Sequence, residues 1–158
     1  PESSADETSP VDINAILTNL TQIFQTSLFA NKNIDATLEL DKRIDTLQSN
    51  ANAIKQIYTN LINNAVEALP TNGKLMVYTH NYVNVNGKEH IELVVTDNGP
   101  GVETYILSRL FTPVDSTKGE NHAGLGLTIV KNLVTELHGS ISCRSNDKGT
   151  SFHVLLPK

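Results

Sequence analysis

Asp97 directly follows an apolar run and begins the segment Asp97-Asn98-Gly99-Pro100-Gly101. An ionised aspartate only accepts hydrogen bonds, so at the base of a pocket it selects the exocyclic amine of adenine over the carbonyl of guanine. Gly99 and Gly101 permit positive backbone angles and a close approach of the main chain to a base, and Pro100 stiffens the turn between them. These residue types predict the floor of a nucleotide pocket.

Three further blocks carry residues suited to phosphate chemistry: Asn60-Leu61-Ile62-Asn63-Asn64-Ala65, Gly124-Leu125-Gly126-Leu127 and Gly149-Thr150. Asn60 and Asn64 lie one turn apart on a predicted helix, and amide oxygens are hard donors of the kind that Mg²⁺ prefers. Gly124 and Gly126 precede or open another helix, where main-chain amides and the positive end of the helix dipole can meet phosphate oxygens. One asparagine pair or one glycine pair alone would be a weak signal, but four ordered blocks are specific.

Taken in order, the four blocks resemble the N, G1, G2 and closing glycine boxes of one family of ATP-binding domains. Sensor histidine kinases, gyrase-type ATPases and their relatives share this domain, the Bergerat-type fold of the GHKL superfamily, and the histidine kinase branch is the most similar. The resemblance covers roughly residues 11–157. The Asn-Ala-Val-Glu-Ala-Leu run and the Ser-Thr-Lys segment are most similar to the nitrogen-regulation type of kinase.

The resemblance implies ATP and Mg²⁺ as cofactors. It makes Asn64 the magnesium ligand, with Asn60 organising metal and phosphates and Glu67 holding a metal-bound water. It makes Asp97 the adenine-specificity residue and gives Thr150 a water shared with Asp97 and the base. The implied nucleotide site comprises Asn60, Asn64, Glu67, Asp97, Gly99, Gly101, Phe111, Lys118, His122, Ala123, Gly124, Leu125, Gly126, Leu127 and Thr150.

A stretch without sustained periodicity, at about residues 102–123, is expected to be a lid over the nucleotide. Lys118 is its best-placed cation for balancing phosphate charge, so we expect a catalytic role for it beside Asn60 and Asn64. Phe111 resembles the family's lid phenylalanine. At His122-Ala123 the sequence departs from the usual glycine and small or hydroxyl residue, and His122 either reaches phosphate or points to solvent.

The ATPase branches of the superfamily carry a glutamate at the position matching Asn60, and an amide cannot deprotonate water. The resemblance therefore implies slow hydrolysis and phosphoryl transfer to a protein histidine. None of the five histidines has the acceptor context of the family, so the dimerisation and histidine-phosphotransfer domain is expected upstream, and a response regulator is the expected partner of the whole protein. The alternatives are a stand-alone serine kinase of the anti-sigma type and a degenerate nucleotide-binding scaffold.

The elements that must position these residues can be predicted from periodicity and turn signals. Residues 1–10 are expected to be a linker and 11–158 a single domain. Helices are predicted over residues 12 to about 30, capped by Asp12, over 52–69, and over 124–138 with Gly139 as its stop signal. Strands are predicted at 34–40, 74–83, 89–97, 140–145 and 150–156, with a short partner at 45–48. The predicted fold class is an α/β two-layer sandwich: a mixed, mainly antiparallel sheet with helices packed on one face.

Composition excludes several function classes. A formal charge of −5 without a basic run argues against nucleic acid as a partner. The single cysteine, Cys143, is expected to be an ordinary strand residue. There is neither a membrane-spanning apolar run nor a signal peptide, so we expect a cytoplasmic domain without direct membrane contact. The proline start suggests a fragment of a longer protein, expected to be monomeric.

Overall fold

The structure, a computed structural model, describes residues 8–101 and 122–158, and the side chains of residues 122–125 lie outside that description. Within these ranges the strands are β1 (Ser9–Val11), β2 (Asp35–Glu39), β3 (Leu47–Ser49), β4 (Lys74–Val85), β5 (Lys88–Asp97), β6 (Ser140–Asn146) and β7 (Gly149–Pro157). The α-helices are α1 (Ile13–Phe24), α2 (Ala30–Lys32), α3 (Ala51–Ala68) and α4 (His122–Glu136), with a π-helical segment, Gln25–Phe29, between the first two.

The larger sheet has five strands in the order β2-β4-β5-β7-β6, and β2 is parallel to β4 while the other neighbours are antiparallel. Along β7, Phe152, Val154 and Leu156 are buried and alternate with partly exposed residues, as expected of a sheet covered on one face. The helices supply the covering layer of the core. The predicted α/β sandwich is confirmed.

Helix α3 forms where its pattern predicts, one residue earlier at each end. The side chain of Asn50 caps it by accepting a hydrogen bond from the Ala53 N–H at 2.9 Å. Its apolar stripe is buried, including Tyr58, whose hydroxyl shares a 2.7 Å hydrogen bond with Thr21 of α1. This pairing fixes α1 against α3 through a buried polar contact.

The first helix begins as predicted but does not continue as one α-helix to about residue 30. Asp12 caps it by accepting from the Ala15 N–H at 3.1 Å. The chain then widens into the π-helical segment, which brings Phe24 and Phe29 to the same buried side with their rings 6.2 Å apart. Residues five apart would point in different directions on an α-helix, so burial of both rings favours the wider turn.

Helix α4 ends differently from the sequence prediction. Its left-handed terminal residue is His138, with φ of 64°, and not Gly139. The His138 N–H donates to the Thr135 carbonyl and the Gly139 N–H to the Val134 carbonyl, which is the hydrogen-bond pattern of a Schellman motif. Gly139 is needed for space instead, because a Cβ there would overlap the Leu155 carbonyl oxygen.

Regular structure begins at Ser9, two residues before the expected boundary at Val11. Strand β1 pairs antiparallel with β3, with Ser9 opposite Ser49 and Val11 opposite Leu47. Ser9 and Pro10, the last two residues of the predicted linker, therefore belong to this small sheet. Cys143 lies in β6 as expected, and the β4–β5 hairpin turns at Asn86-Gly87, where both residues have positive φ.

Candidate nucleotide site

Asp97 lies at the last position of β5, between the second residues of its two neighbouring strands. It pairs with Leu75 of β4 and with Thr150 of β7. Burial raises the pKa of its carboxyl, while hydrogen bonds from the main-chain N–H groups of Gly99 and Thr150 act in the opposite direction. The Gly99 N–H lies 2.8 Å from Oδ1. The carboxylate is thus held in a fixed orientation in a partly desolvated position.

The two glycines after Asp97 have different roles, because only Gly101 uses the positive backbone angle that both residues permit. Gly101 has φ of 86°, and a Cβ on it would overlap the Asn146 carbonyl oxygen. Gly99 is buried, and its φ is not positive. A Cβ on it would stand 3.0 Å from Asp97 Oδ1 and 3.3 Å from the Ala68 carbonyl oxygen. Gly99 therefore allows the turn to approach the end of α3.

The β6–β7 hairpin forms the neighbouring wall. Gly149 has φ of 152°, and a Cβ there would overlap the Asp97 carbonyl oxygen. Thr150 is buried, and its hydroxyl shares a 2.8 Å hydrogen bond with the Ser145 hydroxyl, which also donates to the Gly149 carbonyl at 3.3 Å. Sequence reasoning missed Ser145, although the hairpin register that pairs it with Thr150 could have revealed it.

Helix α3 carries Asn60 and Asn64 on its half-buried face, and Glu67 is exposed. The Asn60 Nδ2 donates to the Gln56 carbonyl at 2.9 Å. Its Oδ1 lies 3.5 Å from the point at which a Cβ would stand on Gly126. The structure therefore brings the asparagine block against the glycine block of α4, 66 residues away in sequence.

Helix α4 begins at His122, so the backbone of Gly124 and Gly126 lies in its first two turns. That end of a helix presents free N–H groups and a partial positive charge. Leu127 is buried in the core. Phe111 and Lys118, together with most of the predicted lid, lie outside the described residues, as do the side chains of His122, Ala123 and Leu125.

Comparison with protein families identifies the domain. The model of the Histidine kinase-, DNA gyrase B-, and HSP90-like ATPase family matches residues 49–158. The chain belongs to this family. The recognition made from the four motif blocks is confirmed, and the family is one of ATP-binding domains.

Relatives with curated names are sensor kinases. The chain is 33% identical to the sensory histidine kinase/phosphatase NtrB of Rhizobium leguminosarum bv. phaseoli over 94% of its own length. It spans 41% of the length of that relative. The similarity thus covers nearly all of this chain and less than half of the NtrB protein.

Solved structures give the same fold. The nucleotide-free catalytic domain of histidine kinase ThkA superposes with a TM-score of 0.82 at 25% identity, covering 96% of both chains. Full-length ShkA, solved in complex with AMPPNP, superposes with a TM-score of 0.80 at 25% identity, covering 96% of this chain and 31% of that one. Both agree with the predicted sandwich.

Two observations concern other kinds of site in the described part of the chain. Residues 8–101 and 122–158 contain no helix long and apolar enough to cross a membrane. Over the same ranges, no three histidine, cysteine, aspartate or glutamate residues cluster as metal ligands. The oxygen donor shown beside Gly126 is the amide of Asn60, on α3.

Proposed function

We propose that this chain is the catalytic, ATP-binding domain of a two-component sensor histidine kinase. It binds Mg-ATP and transfers the γ-phosphoryl group to a histidine on a dimerisation and phosphotransfer domain outside this chain. The observation that carries the proposal is the position of the Asp97 carboxylate, desolvated and oriented between Gly99 and Thr150. The similarity to NtrB and to the AMPPNP-bound ShkA supports it.

The residues at the end of β5 bind adenine. The Asp97 carboxylate accepts from the exocyclic amine of adenine, whereas guanine has a carbonyl at that position of the ring. Gly99 and Gly101 bring the main chain close to the base, and the Thr150 hydroxyl, oriented by Ser145, shares a water with Asp97. Discrimination therefore depends on one acceptor held by main-chain donors.

Phosphate and metal binding fall to α3 and the start of α4. The Asn64 amide oxygen suits Mg²⁺ as a ligand, Asn60 orients the phosphates from the position beside Gly126, and Glu67 holds a metal-bound water. Bound Mg²⁺ would neutralise charge on the phosphates. The main-chain N–H of Gly124, in the first turn of α4, adds the anion-binding end of a helix, and Gly126 lets Asn60 approach that helix closely.

Two predicted contributions come from the segment between the described ranges. Lys118 balances charge on the transferred phosphoryl group, and Phe111 packs in the lid. His122 and Ala123 begin α4 beside the phosphates, and the buried Leu127 anchors that helix in the core, while the anchoring role of Leu125 stays a prediction. His122 stays a prediction with two alternatives, phosphate contact or solvent exposure.

Phosphoryl transfer to another protein group, and not to water, follows from the residue at position 60. Its amide cannot act as a general base, so catalysis depends on positioning and on charge stabilisation. Three of the described histidine rings have contacts within the fold: His90 with the Lys88 carbonyl, His153 with Glu92 and Ser151, and His80 with Tyr78, on which it stacks. The fourth, His138, is exposed just after α4. An acceptor histidine on another domain fits this arrangement.

A labelling assay tests the proposal. With γ-labelled ATP and Mg²⁺, the chain alone should hydrolyse ATP slowly and should not become labelled. Adding the dimerisation domain of the intact protein should give an acid-labile phosphohistidine on that domain, which is lost when the acceptor histidine is replaced by alanine. Asn64→Ala should abolish labelling, whereas Asn52→Ala, an exposed position of the same helix, should not.

The form of the label distinguishes the alternatives. An acid-stable phosphoserine on a partner would support the anti-sigma type of serine kinase. No label on an intact acceptor histidine, despite nucleotide binding, would contradict the kinase proposal and support a scaffold. If the acceptor histidine is labelled, a response regulator is tested next as the acceptor of that phosphoryl group.

A further inference from the structure

Lys32, at the end of α2, has a role that its sequence position does not suggest. Its Nζ reaches the C-terminal end of α3 and donates to the Val66 carbonyl at 2.7 Å and to the Leu69 carbonyl at 2.8 Å. The last carbonyls of a helix lack intrahelical partners and carry partial negative charge, so an ammonium group there satisfies them and stabilises that end. Lys32 thereby ties the end of α2 to the end of α3.

The end of α3 is also a wall of the adenine site. Gly99 approaches it so closely that a Cβ would lie 3.3 Å from the Ala68 carbonyl oxygen and 3.6 Å from the Leu69 Cδ2. Gly99 in turn supplies the N–H that orients Asp97. A displacement of the residues that Lys32 holds would therefore reach the Asp97 carboxylate through one intervening residue.

A second connection runs through the main chain after α3. The Asn72 N–H donates to the Lys32 carbonyl at 2.7 Å, and the Asn33 side-chain amide donates to Asn72 Oδ1 at 2.7 Å. Two residues later, Lys74 and Asn98 bond twice: the Lys74 N–H donates to Asn98 Oδ1 at 2.8 Å, and the Asn98 N–H donates to the Lys74 carbonyl at 3.2 Å. Asn98 is the neighbour of Asp97.

We propose that Lys32 is a positioning residue for adenine recognition, holding the end of α3 and the turn after it against the segment from Asp97 to Gly101. The inference rests on the proposed function, because it assigns a supporting residue to the same nucleotide site. Lys32 does not touch the base itself. Its effect is on the placement of the one carboxylate that reads the exocyclic amine.

The test compares the affinities of ADP and inosine diphosphate, which differ at the group that Asp97 reads. In Lys32→Met the aliphatic stem is kept and the ammonium lost, and we expect ADP affinity to fall about tenfold, the equivalent of one or two hydrogen bonds. Affinity for inosine diphosphate should fall less, so the ratio of ADP affinity to inosine diphosphate affinity should narrow toward one. Lys32→Arg should restore most of the ratio, and Lys55→Met, on the exposed face of α3, should leave it unchanged.

The ratio of ADP affinity to inosine diphosphate affinity distinguishes a positioning role from a general loss of stability. A general loss of stability would lower the melting temperature and leave this ratio unchanged. A folded Lys32→Met with the wild-type ADP affinity and ratio would overturn the inference and leave the proposed function intact. Absence of ADP binding by the wild type would contradict the proposed function, and this inference with it. Asn72→Gly gives a milder test: it keeps the left-handed residue, with φ of 69° in the native chain, and removes the contact with Asn33. Because that variant keeps the Lys32 ammonium and its two bonds to the end of α3, the ratio should narrow less than in Lys32→Met, and an equal or larger narrowing would assign the effect to the turn and count against Lys32.

Discussion

Asp97 and Asp41 both lie beside β4, yet the fold shifts their pKa values in opposite directions. Asp97 is opposite Leu75, and its burial raises the pKa of the carboxyl. Asp41 accepts hydrogen bonds from the Arg43 side chain, from the Arg43 N–H and from the Asn81 N–H, which hold its pKa well below the usual range. Two carboxylates on one sheet therefore meet opposite electrostatic environments.

The environment of Asp41 is that of a structural connector. Its main-chain N–H donates to the Thr79 hydroxyl at 2.8 Å, and its carbonyl accepts from the Asn14 amide at 2.9 Å. It thus joins the segment after β2 to α1 and to β4. A carboxylate that several donors stabilise in its ionised form contributes to the fold and has little capacity left for a ligand.

The environment of Asp97 is that of a binding group. Desolvation outweighs its main-chain donors, and glycines bring other backbone segments close around it. A carboxylate kept at an energetic cost in a glycine-lined turn is a candidate for ligand recognition. The contrast predicts that changes near Asp97 alter nucleotide affinity, and that changes near Asp41 alter stability.

The largest effect on stability is expected from Gly101→Ala compared with Gly87→Ala. The two glycines have nearly equal φ, 86° and 82°, but a Cβ at Gly101 would overlap the Asn146 carbonyl oxygen, whereas a Cβ at Gly87 meets nothing within 4 Å. Denaturant unfolding should show a loss of about 3 kcal/mol for Gly101→Ala and about 1 kcal/mol for Gly87→Ala.

Nucleotide affinity provides the control for this pair. Gly87→Ala, in the β4–β5 hairpin turn, should retain the wild-type affinity for ADP at temperatures where it is folded. Equal losses of stability in the two variants would show that backbone angle alone, and not the close approach at Gly101, makes glycine necessary there.

A smaller effect is expected from Tyr58→Phe, which removes the buried contact between α1 and α3. Desolvation raises the pKa of Tyr58 to about 12, with the Thr21 hydrogen bond opposing it, so the neutral phenol is the form in the fold. Losing its hydroxyl leaves Thr21 buried without this partner and should cost about 1 kcal/mol of unfolding free energy. Thr21→Val combined with Tyr58→Phe should cost less than the sum of the two single changes.

ADP affinity should not change in Tyr58→Phe, since its hydroxyl bonds to Thr21 and not to the turn after Asp97. A fall in ADP affinity that exceeds the loss of unfolding free energy, when both are expressed as free energies, would contradict the separation of structural from binding regions.

The smallest effect is expected from Asp41→Asn, because its ion-pair partner, the Arg43 side chain, is 73% exposed and solvent screens the pair. The folded pKa of Asp41 is below its ordinary value of 3.8, so its contribution to stability is fully present above pH 3.8 and is lost as the pH falls from there through the folded pKa. Thermal unfolding should show a lower melting temperature for the variant at pH 7, and the difference from wild type should shrink toward pH 3. A difference that is constant with pH would contradict the electrostatic origin.

Local patterns were sufficient for the elements that carry the site. The period of Ile54, Tyr58, Leu61 and Ile62 predicted α3 to within one residue, and alternation placed Asp97 at the end of its strand. Four motif blocks predicted the family, because each needs a specific residue type at a fixed place. The β4–β5 hairpin has a comparable local cause, since its turn at Asn86-Gly87 consists of two residues that tolerate positive φ.

Contacts between distant segments could not be predicted in this way. The β1–β3 pairing joins two three-residue strands too short to show periodicity. The bond from Lys32 to the Leu69 carbonyl spans 37 residues, and nothing in the local sequence of Lys32 distinguishes it from a solvated lysine. The π-helical segment was missed because it depends on tertiary burial of Phe24 and Phe29.

The most direct measurement of the central claim is a calorimetric titration of ADP and a non-hydrolysable ATP analogue, with and without Mg²⁺, into wild type and Asp97→Asn. We expect magnesium-assisted binding by wild type and a loss of about 100-fold or more in the variant, because the amide presents donors as well as an acceptor to the adenine amine. The variant should stay folded, and its stability at pH 7 should be equal or higher, since a raised folded pKa means that the ionised carboxyl is unfavourable in the fold above its ordinary value of 3.8. Equal binding by a folded Asp97→Asn, or no binding by wild type, would contradict the account.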